Sequence, residues 1–254
     1  MVPAMAVAMT IGMSSLTLAQ DSTPGASPAA ADMGVCTEAL GIGMEGDACI
    51  NVVHASPDAP AVDVYVDGAK ALENLAFGSF SGWVAVPAGD HQVQVTATGS
   101  EPSTAVIDAD VMLEAGAAYE VVATGLLADI APQIYQVNLS DVGTTESPMA
   151  RVRVIHTSPD APAVDIAVKG GDVLISNLEF PNASDMLEVP AASYDLEVRP
   201  AGTTDVALDL PGVNLEAGMV YDVFAIGQLS DRSLTVLVVP STTAASVAMA
   251  TPAA

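Results

Sequence analysis

The chain has 254 residues, of which 51% are hydrophobic, 31 are acidic and 6 are basic, giving a formal net charge of −25. Such a surface repels phosphate backbones and anionic membranes, which excludes nucleic acid and acidic lipid surfaces as favoured partners. Cations, basic proteins and neutral ligands fit it better, and the length suffices for one large or two ordinary domains.

Residues 1–19 are predicted to be a signal peptide. Residues 2–18 are apolar or small, and Thr17-Leu18-Ala19 resembles the small-x-small pattern ahead of a signal-peptidase cut. A spanning helix is the alternative, but the stretch is short and rich in Ala, Gly and Ser for one. We therefore expect an exported protein, extracellular or at the cell surface, with no membrane span in the mature chain.

Residues 20–49 are predicted to be a disordered Pro/Ala/Ser spacer that ends in a disulfide-closed segment. The only two cysteines of the chain are Cys36 and Cys49. A metal site would need further ligands close by, and the stretch between them offers only three carboxylates, those of Glu38, Glu45 and Asp47. In an oxidising compartment the cysteine pair is expected to form a disulfide.

Two copies of one module follow, at residues 50–139 and 151–240. The stretch "VVHASPDAPAVDVYV" recurs as "VIHTSPDAPAVDIAV", and "LEAGAAYEVVATG" recurs as "LEAGMVYDVFAIG". A repeat this long, with complete internal order, predicts two tandem domains rather than solenoid units. Residues 140–150 would be a flexible linker and residues 241–254 a disordered tail, and we expect each half to fold by itself.

The apolar pattern within each copy predicts an all-β fold. In residues 62–67 the valines occupy alternate positions and face one way, and Val164, Ile166 and Val168 repeat this in the second copy. This alternation is typical of half-buried antiparallel strands, and turn residues such as Asp67-Gly68 lie between the runs. About seven short strands in about 90 residues suit an immunoglobulin-like antiparallel β-sandwich, so the chain is predicted to be two of them in tandem.

A tyrosine in each copy, Tyr119 and Tyr221, follows a Leu-Glu-Ala-Gly turn at the start of an apolar strand. This is the arrangement of a tyrosine corner, in which the phenol hydroxyl bonds back to the backbone across the turn. A tyrosine that merely packs in the core would give the same pattern.

The repeated His-x-Ser-Pro-Asp motif is interpreted as structural. Each histidine ends an apolar row, and Ser-Pro-Asp suits a type I turn with Pro at its second position. A histidine packed beneath this turn, bonded to its backbone or to the aspartate, would fix a tight corner between two strands. The motif residues are His54, Ser56, Pro57, Asp58 and Asp63 in the first copy and His156, Ser158, Pro159, Asp160 and Asp165 in the second.

The alternative is a hydrolase or metal-dependent enzyme that uses this motif. Nothing resembles a nucleophile elbow or an oxyanion loop, however. A calcium site at Asp58, Asp63 and Asp67 is conceivable, because hard cations take carboxylate oxygens, but Asp67 becomes Lys169 in the second copy. We therefore assign no catalytic, metal-binding or cofactor-binding residue.

The opening motif, with "VPAGDHQVQV" and "LEAGAAYEVVATG" after it, resembles the family called domain of unknown function 4397. The resemblance covers residues 50 to about 138 and again 151 to about 240. It implies an exported protein built of tandem β-sandwich modules and carries over no catalytic residue.

These features together predict an exported, non-enzymatic β-sandwich module for binding or adhesion. A duplicated module raises avidity when two weak sites reach one target. The expected partner is a protein or a surface ligand. A passive structural spacer and the enzyme described above are the alternatives.

Overall fold

The computed structural model describes residues 34–139 and 148–241. The predicted signal peptide, most of the spacer, residues 140–147 of the linker and residues 242–254 of the tail lie outside the described residues. Across the two described ranges, no helix is long and apolar enough to cross a membrane.

Strands dominate both modules. The first module contains α1 (Gly34–Glu38), β1 (Ala48–His54), β2 (Val62–Val66), β3 (Ala69–Leu75), β4 (Phe80–Val86), β5 (Gly89–Ala97), β6 (Ile107–Leu113), β7 (Ala118–Thr124) and β8 (Ala131–Val137). The second contains β9 (Met149–His156), β10 (Val164–Val168), β11 (Val173–Leu178), β12 (Leu187–Pro190), β13 (Ala192–Pro200), β14 (Leu208–Leu215), β15 (Val220–Ile226) and β16 (Thr235–Ser241). Strand β9 thus begins inside the segment predicted to be a linker.

Each module is a sandwich of two four-stranded sheets, which confirms the predicted fold class. The sheet orders are β4-β1-β7-β8 and β3-β2-β5-β6 in the first module, and β12-β9-β15-β16 and β11-β10-β13-β14 in the second. One ladder in each module is parallel, β1 with β7 and β9 with β15. An apolar alternation reports which face of a strand is buried but not the direction of its neighbour, so the pattern did not predict this pairing.

The two central strands of the sheet containing β1 are buried on both faces. Every residue of β1 and of β7 is buried. Val52 packs in the core between the two sheets of its own module, whereas Val53 packs in a cluster shared with the second module. The sheet containing β9 is arranged in the same way, with Val154 in its own module's core and Ile155 in the shared cluster. The four sheets therefore stack in layers.

The shared cluster joins the two modules, which lie in one compact unit. Val122 of β7 and Phe224 of β15 are fully buried in it. Hydrogen bonds also cross between the modules, among them those from Tyr135 Oη to Pro181 O and from Thr124 Oγ1 to Thr157 O. Independent folding of each half stays a prediction, and separation of the halves would expose these buried surfaces.

A disulfide joins Cys36 and Cys49, as the sequence predicts. It pins the segment from α1 to β1 against the first module, where Leu40 is almost completely buried. The same apolar cluster includes Val220 of the second module. The disulfide-closed segment therefore covers one end of the seam between the two modules.

Candidate functional site

The repeated motif forms the connection from the first strand of each module to the second. His54 ends β1 and its side chain is fully buried. Its Nε2 lies 3.0 Å from Pro60 O, and Ser56 N donates to its Nδ1 at 3.4 Å. A carbonyl can only accept and a backbone N–H can only donate, so the ring is the neutral Nε2–H tautomer.

The second module repeats this arrangement. His156 is fully buried, its Nε2 lies 3.1 Å from Pro162 O, and Ser158 N donates to its Nδ1 at 3.3 Å. Burial lowers the pKa of both histidines, against a smaller upward effect of the hydrogen bond to the proline carbonyl. Both imidazoles are therefore held in the neutral form beneath the turn, with no nitrogen left over for proton transfer.

The serines of the motif are not exposed nucleophiles. Ser56 and Ser158 are both fully buried. The Ser56 hydroxyl has no hydrogen-bond partner, and the Ser158 hydroxyl lies 3.4 Å from Asp160 Oδ1. Because each histidine is already bonded through both nitrogens, neither can act as a general base toward its serine in this arrangement.

The turn aspartates tie the motif to a second loop. Pro57 and Pro159 lie in the turns, and Asp58 accepts a hydrogen bond from Leu127 N at 2.7 Å. Asp160 accepts from Leu229 N at 2.7 Å and from Ser230 N at 2.9 Å. Burial pushes the pKa of Asp160 upward, but the hydrogen bonds from Ser230 and Leu229 outweigh it and lower the pKa overall. The sequence did not predict this contact, since the partner loop is distant in the chain.

The later aspartate of the motif clamps two further loops. Asp63 is fully buried and accepts hydrogen bonds from Lys70 Nζ, Asn74 N and Gly99 N. Asn74 has a positive φ of 57°, a conformation that this hydrogen bond helps to hold. The hydrogen bonds, that of Lys70 foremost, keep the pKa of Asp63 well below its usual value. A buried carboxylate with this many donors is a structural anchor.

Asp165 anchors two loops of the second module in the same way, but without a lysine as a charged partner. It accepts hydrogen bonds from Asn177 N at 2.7 Å and from Gly202 N at 2.8 Å. Asn177 also has a positive φ, of 52°. The two modules therefore share the loop clamp but not the charged partner.

Both tyrosines bond back across their turns. The Tyr119 hydroxyl accepts a hydrogen bond from Glu114 N at 3.3 Å, and the Tyr221 hydroxyl accepts one from Glu216 N at 3.1 Å. Both side chains are also buried in apolar clusters. The contacts are those expected of a tyrosine corner, with core packing in addition.

The carboxylates considered for calcium are engaged in three different sets of contacts. Asp58 bonds to the loop after β7 and Asp63 to the loops around β3 and β5, as described above. Asp67 contacts His91 Nδ1 at 2.7 Å and Gln92 N at 3.0 Å. Within residues 34–139 and 148–241, no group of three or more His, Cys, Asp or Glu is placed to hold a metal ion.

Two open grooves differ in position between the modules. One, of about 520 Å³, runs along β11 and the stretch 182–187 before and at the start of β12. Another, of about 480 Å³, lies in the first module beside the 114–118 turn and the end of β8. They occupy different places in the fold, so neither is a site repeated along with the motif.

A buried charged cluster lies between the modules and was missed by the sequence reasoning. Arg153 of β9 makes two hydrogen bonds to Asp222 of β15, at 2.7 and 2.9 Å, and a third to Gln136 O at 2.8 Å. It also lies 3.8 Å from Glu120 of β7, which Asn51 contacts at 3.4 Å. Glu120 and Asp222 are fully buried. The available signal was a single acidic residue in the middle of each of two otherwise apolar strands, β7 and β15, and the arginines of β9.

The family described as "Domain of unknown function (DUF4397)" matches residues 48–167 and again residues 150–250. The two matches confirm the family and the tandem arrangement that the repeated motifs indicated. None of the curated proteins matches the sequence significantly.

Several solved structures are weakly similar. The TIE protein of Bacillus anthracis is 8% identical with a TM-score of 0.24 over 72% of this chain, which spans 34% of that protein. A family CBM26 module of Eubacterium rectale Amy13K, solved with maltoheptaose, is 12% identical with a TM-score of 0.23, over 75% of this chain and 95% of its own. A streptococcal virulence factor that binds alpha-glucan is 10% identical with a TM-score of 0.22, over 79% of this chain and 99% of its own. Similarities at this level assign no ligand to the chain.

Proposed function

We propose that this chain, which belongs to the family of domain of unknown function (DUF4397), is an exported, non-enzymatic module that binds a partner at the cell surface or outside the cell. The observation that carries the proposal is that the repeated motif makes its hydrogen bonds within the protein. In both modules the histidine, the turn aspartate and the later aspartate bond to the protein's own backbone, which leaves none of them directed at a substrate.

The chemistry of the motif supports a non-enzymatic role. A Ser-His hydrolase needs an accessible hydroxyl within reach of a free imidazole nitrogen. Here Ser56 and Ser158 are fully buried, and both nitrogens of His54 and of His156 are hydrogen-bonded. Substrate access would require the turn to open and the histidine to lose both of its partners.

The outermost sheet of the first module is the surface we propose for binding. Asp108 and Asp110 are exposed on β6, and the side-chain amides of Gln92 and Gln94 on β5 donate hydrogen bonds to Asp108. Lys70 is the only basic residue of the first module. An acidic face of this kind attracts a cationic or basic partner, and the attraction weakens as salt rises.

The disulfide supports export. Disulfides persist in oxidising compartments and are rare where thiols are kept reduced. The predicted signal peptide gives the same localisation, although it lies outside the described residues.

The test uses the intact protein as bait on cell-surface and matrix extracts of its native cells, with and without calcium, and at low and high salt. We expect capture that weakens with salt and is reduced in the variant Asp108→Asn/Asp110→Asn. The matched control is Glu101→Gln/Asp129→Asn, which removes two exposed charges elsewhere in the same module. Equal capture by both variants would contradict the proposed surface.

A passive spacer is the second candidate, favoured by the buried contact between the modules, which holds them as one unit. Absence of any specific capture by the wild-type protein would support the spacer. Turnover of a substrate that disappears in His54→Ala and in Asp58→Ala, with folding retained in both, would support the enzyme instead.

A further inference from the structure

The two modules face each other through the same positions of the repeat. Val53 in β1 corresponds to Ile155 in β9, and both lie in the shared apolar cluster. Val122 in β7 and Phe224 in β15 correspond in the same way and lie in the same cluster. A contact in which each partner uses the same patch is the arrangement of a two-fold symmetric dimer, here formed inside one chain.

The polar positions of the contact also correspond, but their side chains differ. Glu120 and Asp222 occupy equivalent positions, and so do Asn51 and Arg153. In the first module Asn51 is paired in register with Glu120, and in the second Arg153 is paired in register with Asp222. The contact therefore contains two buried carboxyl groups and a single guanidinium. Arg153 reaches across to Gln136 O and toward Glu120, and its guanidinium carbon lies 5.9 Å from the centre of the Tyr135 ring.

We propose that this face is a pairing surface for a second module of the same fold, and that a single arginine, carried by either partner, is enough to stabilise the contact. Two copies of the first-module face would bring two Glu120 carboxyl groups together with no cation. Two copies of the second-module face would bring two arginines and two aspartates together. The observed pair of unlike faces has one cation between two carboxyl groups, and this is independent of what the outer sheets bind.

The observed contact holds two buried carboxyl groups and one guanidinium, and their charges balance when one carboxyl group carries a proton. Burial raises the pKa of Glu120 well above its usual value, and the nearby negative charge of Asp222 raises it further. The groups that face Glu120 are Asn51 on β1, Asp222 on β15, Arg153 on β9 and, on β8, Tyr135. Glu120 is accordingly the protonated carboxyl group, and Asp222 is the one that the Arg153 guanidinium bonds directly, at 2.7 and 2.9 Å.

The symmetry of the contact gives the experiment. Arg153→Asn leaves two buried carboxyl groups without a cation and is expected to lower the melting temperature by about 10 °C. The double variant Asn51→Arg/Arg153→Asn moves the arginine to the equivalent place beside Glu120, so at least half of that loss should be recovered. Lys169→Asn is the control, because it removes one positive charge from an exposed ion pair with Asp209.

A second pair of variants remains informative if the double variant is poorly stable. In the wild-type background, Glu120→Gln should lower the melting temperature by only a few degrees, because an amide resembles a protonated carboxyl, whereas Asp222→Asn should cost as much as Arg153→Asn. In the double variant the order should reverse. The loss of melting temperature caused by Arg153→Asn should also be smaller at pH 5 than at pH 8, because the two buried carboxyl groups left without a cation take up protons.

Recovery in the double variant, or a reduced deficit of Arg153→Asn at low pH together with tolerance of Glu120→Gln, supports the proposal. A double variant no more stable than Arg153→Asn, with Glu120→Gln as damaging as Asp222→Asn in the wild-type background, would overturn it. That result would mean that Arg153 acts only as a local partner of Asp222.

Discussion

Replacing His54 with Ala is expected to lower the free energy of unfolding by about 3–5 kcal/mol. The side chain is fully buried, and its two ring nitrogens contact Pro60 O at 3.0 Å and Ser56 N at 3.4 Å. Truncation leaves the buried N–H of Ser56 without a partner, at about 1–3 kcal/mol, and removes the part-buried hydrogen bond to the Pro60 carbonyl. The lost imidazole, which lies edge-on to Phe77 at 6.2 Å, leaves a cavity that adds to the cost.

The assay is equilibrium unfolding in denaturant, followed by far-ultraviolet circular dichroism at pH 7.5. The midpoint should fall with the slope unchanged, and the melting temperature should fall by about 10 °C. His156→Ala should behave in the same way, because its contacts are the same. Glu101→Ala, an exposed residue, should stay within about 0.5 kcal/mol of wild type. A His54→Ala protein as stable as this control would refute the structural interpretation of the motif.

Two further predictions concern the disulfide and pH. Replacement of both Cys36 and Cys49 with Ser should lower the free energy of unfolding by about 3 kcal/mol, measured by the same assay, and a cost below about 0.5 kcal/mol would contradict the pinning of this segment. Burial lowers the pKa of His54 and of His156, so below pH 6.5 the unfolded chain binds more protons than the folded one. The free energy of unfolding should therefore decrease as the pH is lowered below 6.5, by at most about 1.4 kcal/mol per pH unit for each histidine. His91 has the opposite sign, because hydrogen bonds from its ring, first to Asp67, raise its pKa. The stability lost in His91→Gln should therefore be largest below pH 6.5 and should shrink as pH rises through the raised pKa, and a loss that grows with pH would contradict it.

The sequence predicted most of the fold because the repeat shows itself twice. Alternation in the stretches around Val64 and Ile166 identified β2 and β10, and the pair of cysteines identified the disulfide. These signals lie in neighbouring residues or in the comparison of the two copies of the repeat. The parallel pairing of β1 with β7 is not local, because it joins residues such as Asn51 and Glu120, about seventy positions apart, and the apolar pattern of neither strand indicates the direction of its neighbour.

The site was predictable in part for the same reason. The position of His54 at the end of an apolar row indicated burial beneath the turn, and the structure places its ring there. The partner of Asp58 could not be predicted, since Leu127 N is a backbone group and carries no side-chain signal. The contact between the modules was missed although a strand buried on both faces has a near-continuous apolar run, as β7 and β15 have around Glu120 and Asp222.

The central claim is that the repeated motif builds the modules and performs no chemistry, and the nitrogen-15 chemical shifts of the histidine rings test it most directly. A pH titration of the folded protein, with the signals assigned by His54→Gln and His156→Gln, reports the tautomer and the charge of each ring. We expect both rings to remain neutral with the proton on Nε2 down to the pH at which the protein unfolds. A ring that titrates near pH 6.5 in the folded protein, or one that holds its proton on Nδ1 and leaves Nε2 free, would contradict the claim.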